Sequence, residues 1–162
     1  MKNLLSITLL ALVMLACGSS DTVKFQGKFT KTIPGLTAAD VHLNFTNKGF
    51  QLNKILQAEY SEWSLTKERN DYSQRVVAMG KSSMSIVNVQ ATNISYTDQD
   101  DIGPQFLSYV ASLPYEGSTP QGARDWVLEN YGSDTFTTIS DVIFKLSSNG
   151  RVNTLTIERN QY

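Results

Sequence analysis

The firmest constraint on this chain lies near its C-terminus, where Asn149-Gly150 separates two alternating apolar runs. Asn-Gly in that setting is the strongest short-range hairpin signal, because both residues tolerate the left-handed backbone of a tight primed turn. Val142, Phe144 and Leu146 share one parity before the turn, as does Phe136 further upstream. Folding about Asn149-Gly150 predicts Ser148 opposite Arg151, Phe144 opposite Leu155 and Val142 opposite Ile157. The four apolar residues in those pairs then share one face, and Lys145, Thr154, Asp141 and Glu158 take the other. Because side chains alternate with a period of two, a one-residue slip would turn every one of them to the wrong face.

Upstream of this hairpin the pattern is mixed. Val23, Phe25 and Phe29 alternate with Lys24, Gln26 and Lys28, which predicts a first strand that Pro34-Gly35 ends. Residues 38–48 carry two signals. Thr37-Ala38-Ala39-Asp40 reads as a capping box and Gly49 as a left-handed stop, which favour a helix. Val41, Leu43 and Phe45 alternate with His42, Asn44 and Thr46, which fits a strand. Three strand-like runs follow at residues 60–67, 72–79 and 86–96, joined by polar turn-prone linkers that predict an antiparallel meander. Phe106, Leu107, Val110 and Leu113 then recur at helical spacing behind Pro104 and stop at Pro114. A second helix starts at Thr119-Pro120, with Ala123, Trp126, Val127 and Tyr131 as its buried stripe and Gly132 closing it. The expected class is α+β, an antiparallel sheet with helices packed on one face. Val87-Asn88 and Val152-Asn153 occupy similar places in the two halves, as two repeated α-then-β units would place them.

The other end of the chain concerns location rather than fold. Lys2 is followed by an apolar stretch at residues 4–15 and then by Met14-Leu15-Ala16-Cys17, with Cys17 the one cysteine of 162 residues. About twelve apolar residues fall short of the roughly 20 that a spanning helix needs. A positive start, a short apolar stretch and a small residue before the cut describe a removed signal. With its cysteine at that point, the segment resembles the lipobox of a bacterial lipoprotein precursor. The resemblance covers residues 1–17 and implies a lipid on Cys17 and a signal at 1–16. Small polar residues after Cys17 read as a tether at 17–22, and the length that remains predicts one α+β domain at 23–162. Each buried methylene contributes about 0.8 kcal/mol, so the two or more acyl chains of such a cysteine anchor stably where one would not. Gly18 in place of an aspartate favours the outer membrane by resemblance to enterobacterial sorting, which makes the membrane the first expected partner. Element order in the rest of the chain resembles small envelope lipoproteins of the outer-membrane-assembly type and the β-lactamase-inhibitor-like fold. Those proteins act by binding other proteins.

Once Cys17 is lipidated, the domain has no thiol for a disulfide, and its stability must come from packing. Charge divides unevenly. Residues 17–81 hold nine basic and six acidic side chains, whereas residues 82–162 hold four and nine. There is no basic stripe of the kind a nucleic acid needs, so no nucleic-acid partner is expected. His42 is the one histidine, and no Gly-x-Ser-x-Gly elbow presents a nucleophile. His and Cys clusters for zinc and a Gly-rich phosphate loop are both missing, so neither metal nor cofactor is expected. Asp98, Asp100 and Gly103 match three positions of an EF-hand loop, but Ile102 and Tyr109 stand where ligands belong.

Aromatic residues remain. Trp63, Trp126, Tyr109, Tyr115 and Tyr131 are of the type enriched at binding hot spots. Trp63 in a strand and Trp126 on a helix stripe also fit buried roles, while Tyr115, in a loop after Pro114, is expected to be exposed. Tyr115, Trp63 and Trp126 are therefore the candidate ligand-binding residues, and no catalytic residue is assigned. These features predict a lipid-anchored envelope protein that binds a protein or small ligand. Two alternatives are an anchored hydrolase acting on glycan or peptidoglycan through paired carboxylates, and a structural subunit of an envelope complex.

Overall fold

The computed structural model describes residues 31–56, 60–97 and 101–161. The leader, Cys17, the tether, the strand expected at residues 23–29, Asp98, Asp100 and Tyr162 lie outside the described residues. In chain order the elements are α1 (Ala38–Thr46), β1 (Gln51–Leu56), β2 (Ser61–Glu68), β3 (Tyr72–Ser82), β4 (Ser85–Ser95), α2 (Gly103–Ala111), α3 (Pro120–Asn130), β5 (Thr135–Ile139), β6 (Val142–Asn149) and β7 (Val152–Arg159). The seven strands form one antiparallel sheet in the order β1-β2-β3-β4-β7-β6-β5. Each half of the chain runs from helix to meander, and the two meanders join through their last strands. The fold is α+β.

Cross-strand register assembles the core. One row runs Leu65, Val76, Ala91, Leu155, Leu146, and the next runs Trp63, Ala78, Val89, Ile157, Phe144. All ten are buried, in one cluster with residues of all three helices, so the helices cover a single face of the sheet. The opposite face is more polar. Arg75 there donates from Nε to Ser64 Oγ at 3.1 Å and lies 3.6 Å from Glu62, and the Thr92 and Thr154 hydroxyls meet at 3.3 Å.

End signals decide residues 38–46 in favour of helix. The Thr37 N–H donates to Asp40 Oδ2 at 2.8 Å, and the Asp40 N–H donates back to Thr37 Oγ1 at 3.2 Å, closing a capping box. At the other end Gly49 takes φ +82°, and the Phe50 N–H returns to the Phe45 carbonyl at 3.2 Å. This is a Schellman-type closure with its usual apolar contact, here the Phe45 and Phe50 rings edge-to-face at 5.3 Å.

The C-terminal hairpin keeps the expected faces but not the expected pairs. Gly150 and Arg151 form the turn, so Asn149 pairs with Val152, Ser148 with Asn153, Phe144 with Ile157 and Val142 with Arg159. Gly150 alone carries the positive φ, +60°, as in a II′ turn. Moving the turn by one residue shifts each partner by two and so preserves the face. The shift sets Leu155 opposite Leu146 and removes Asn153 from that apolar position. Phe136 departs from expectation outright and is 70% exposed. A tight turn at Ser140-Asp141 (φ 47° and 66°) pairs Ile139 with Val142 and Phe136 with Lys145. Facing residues across that turn differ in parity, so counting straight through it assigned Phe136 to the wrong face.

Candidate functional site

The three aromatic residues singled out from sequence do not converge. Trp63 is buried on the helix-covered face of β2, with Lys54 Nζ 5.8 Å from its ring centre. Trp126 is half-buried against the core on α3. Tyr115 is buried rather than exposed, at 8%. Its hydroxyl donates to the Ile139 carbonyl at 3.1 Å and its ring lies 6.2 Å from Phe144. The loop after Pro114 thus folds inward over β5 and β6, with Tyr115 as its plug. Burial raises the Tyr115 phenol above its ordinary range. His42 is half-buried on α1, with Nδ1 2.9 Å from the Ala38 carbonyl one turn back. Among the described residues no group of three or more His, Cys, Asp or Glu side chains is placed to hold a metal.

A different set of residues does converge. A cavity of about 300 Å³ opens where the C-terminal end of α1 meets α2, lined by Phe45, Lys48, Phe50, Lys67, Tyr72, Gln74, Ile102, Gln105, Phe106, Tyr109 and Arg124. Its inner wall is aromatic. Phe45 is packed edge-to-face by Phe50, Phe106 and Tyr109, at 5.3, 6.4 and 5.5 Å between ring centres, and Phe50 lies parallel to Phe106 at 5.8 Å. The sharp Gly49 closure is what returns Phe50 onto Phe45 and leaves Lys48 at the rim.

Polar groups are few and specifically placed. Gln74, 4% exposed on β3, donates from Nε2 to Asn93 Oδ1 at 3.2 Å and brings an amide to the inner wall. The Tyr109 hydroxyl donates to Asn44 Oδ1 at 3.2 Å, and burial raises its pKa so that the phenol stays protonated. Lys48 Nζ sits 4.4 Å above the Tyr109 ring. Lys67 Nζ donates to the Lys48 carbonyl at 3.1 Å and lies 5.6 Å from the Phe50 ring centre. Arg124, exposed on α3, adds a third cation. Among the described residues no carboxylate lines the cavity, and the ion pairs Arg75–Glu62 and Arg159–Asp141 involve none of these three cations.

A second cavity of about 510 Å³ lies along the same end of the sheet, between β4, the Gly150 turn and the end of α3, and most of its lining residues carry a hydroxyl or amide group. Tyr109 and Tyr131, both among the aromatic residues noted from sequence, line the first and second cavity respectively; Trp63, Trp126 and Tyr115 line neither. No protein-family model, curated protein or solved structure matches this chain.

Proposed function

We propose that this chain is a lipid-anchored protein of the bacterial cell envelope that binds a small ligand without transforming it. The address rests on the leader and Cys17, and Gly18 favours the outer membrane. The observation that carries the binding role is the cavity at the junction of α1 and α2. Ligand sites are concave, mostly apolar, and carry a few convergent polar groups. An aromatic wall with one buried amide and three rim cations has that composition. The hydrolase alternative needs two carboxylates facing a substrate, and the lining of this cavity supplies neither. Among the described residues no helix is long and apolar enough to cross a membrane. The proposed attachment is the lipid on Cys17, and it rests on the leader's resemblance alone.

Two measurements test the two parts. Growth with a fatty-acid analogue should label the protein, and Cys17→Ser should abolish that label; persistent labelling would defeat the anchor. For binding, Phe106→Trp is designed to fill the cavity with a larger ring. It should remove any small-molecule response seen by saturation-transfer NMR of the unsubstituted protein. An undiminished response would place the ligand elsewhere.

A further inference from the structure

The ligand's chemistry follows from the same cavity, and this inference rests on the binding role just argued. We propose that the cavity takes an anionic amphiphile, a compact apolar body bearing one carboxylate or phosphate head. Shape sets the body. An apolar cavity of about 150 Å³ accommodates benzene, and this one is about 300 Å³. A single ring with a three- or four-atom arm fills such a space. The ring surface that Phe50, Phe106 and the half-buried Tyr109 leave open to the cavity favours an apolar group, which would be taken out of water against it.

Charge sets the head. Lys48 and Lys67 come from the basic half of the chain and Arg124 from α3, yet all three reach one cavity. Two of these cations are held over aromatic rings, with Lys67 further fixed by its bond to the Lys48 carbonyl. A cationic ligand would meet three like charges, and a neutral one would leave them without a counter-charge from the lining. An anion at the rim receives charge-assisted hydrogen bonds while its body lies against the rings. The Gln74 amide offers a polar contact deeper in, where an ether or hydroxyl on the arm would be accommodated.

The test uses the full lipidated chain in nanodiscs, with empty nanodiscs as reference and water-soluble probes followed by titration in saturation-transfer NMR. Three probes share one body: 3-phenylpropionate, 3-phenylpropanol and 3-phenylpropylamine. The acid should bind saturably and at least tenfold more tightly than the alcohol, with the amine weakest. Acetate and inorganic phosphate, heads without a body, should bind far more weakly than the acid. Lys48→Gln combined with Lys67→Gln should weaken the acid about tenfold and leave the alcohol unchanged, since exposed charge contacts each contribute modestly. The melting temperature of that variant should match the parent, which separates lost binding from lost folding. Equal binding of acid and alcohol, or tighter binding of the amine, overturns the anionic assignment while leaving the cavity as a binding site. Binding of none of the three probes overturns both. Acetate or phosphate binding as tightly as the acid would reduce the site to a surface anion contact and overturn the amphiphile.

Discussion

Phe136 and Phe144 share sequence parity and nothing else, which makes them a paired test of the fold. Phe144 is fully buried between Ile157 and Thr137 on its neighbouring strands, with Tyr115 packed against it. Truncating it to alanine removes about 150 Å² of ring surface from the core. At about 25 cal/mol per Å² that is roughly 4 kcal/mol. Loss of the Tyr115 ring contact contributes about 0.5–1.5 kcal/mol more, and partial collapse of the cavity gives some back. Phe144→Ala should therefore destabilise the protein by about 3–5 kcal/mol, a large share of the roughly 5–15 kcal/mol typical of a domain. Phe136→Ala, at 70% exposure, should shift stability by no more than about 0.5 kcal/mol. Urea unfolding followed by tryptophan emission reads both. With a slope of about 2 kcal/mol per molar, Phe144→Ala should lower the midpoint by about 2 M and Phe136→Ala by less than about 0.3 M. Equal shifts, or a loss below about 1 kcal/mol for Phe144→Ala, would refute the assignment of faces to β5 and β6.

Two further outcomes follow from local geometry. A Cβ at Gly80 would stand 2.5 Å from the Ser85 carbonyl oxygen and 3.0 Å from that of Ser82, inside the register irregularity of the β3–β4 hairpin. Both obstacles are backbone, so Gly80→Ala should destabilise by about 1–3 kcal/mol in the same assay, and an unchanged midpoint would show the hairpin relaxing freely. Alkaline pH supplies the other. Burial raises the Tyr109 and Tyr115 phenols above their ordinary value of 10.0, so above that pH the unfolded chain releases protons that the folded chain retains. The contribution of these two phenols to stability should be constant below about pH 9 and be lost as pH rises through the folded-state values. Tyr115→Phe should make that decline shallower, whereas an unaltered pH slope would remove Tyr115 from its cause.

Local chemistry was legible in proportion to how local it is. The helix at residues 38–46 was decided by Thr37, Asp40 and Gly49, which act within their own turn, over an alternation of Val41, Leu43 and Phe45 that has no partner strand to satisfy. The three-strand meander and both proline-started helices were likewise readable. β1 was not, because its described side chains, residues 51–55, are all exposed at the sheet edge and no face imposes a period. In the C-terminal hairpin, face was legible and pairing was not, since two registers differing by two residues bury the same side chains. Tyr115 was misjudged because loop position says nothing about where a loop folds.

The cavity shows the same boundary from the other side. Its cations stand at positions 48, 67 and 124 and its rings at 45, 50, 72, 106 and 109, with no single spacing that relates the whole set. Most have a local reason for their place: the Gly49 closure for Lys48 and Phe50, β2 for Lys67, β3 for Tyr72 and α2 for Phe106 and Tyr109. Their convergence has another origin. β4 and β7 join the two meanders, which places α1 of the first half beside α2 of the second over one sheet face. The Tyr109–Asn44 hydrogen bond and the Phe45–Phe106 contact tie those helices directly. The site is therefore a product of the junction between halves and of neither half alone. On the proposed binding role, a substitution that loosens the α1–α2 contact without touching the cations should weaken the acid probe as well.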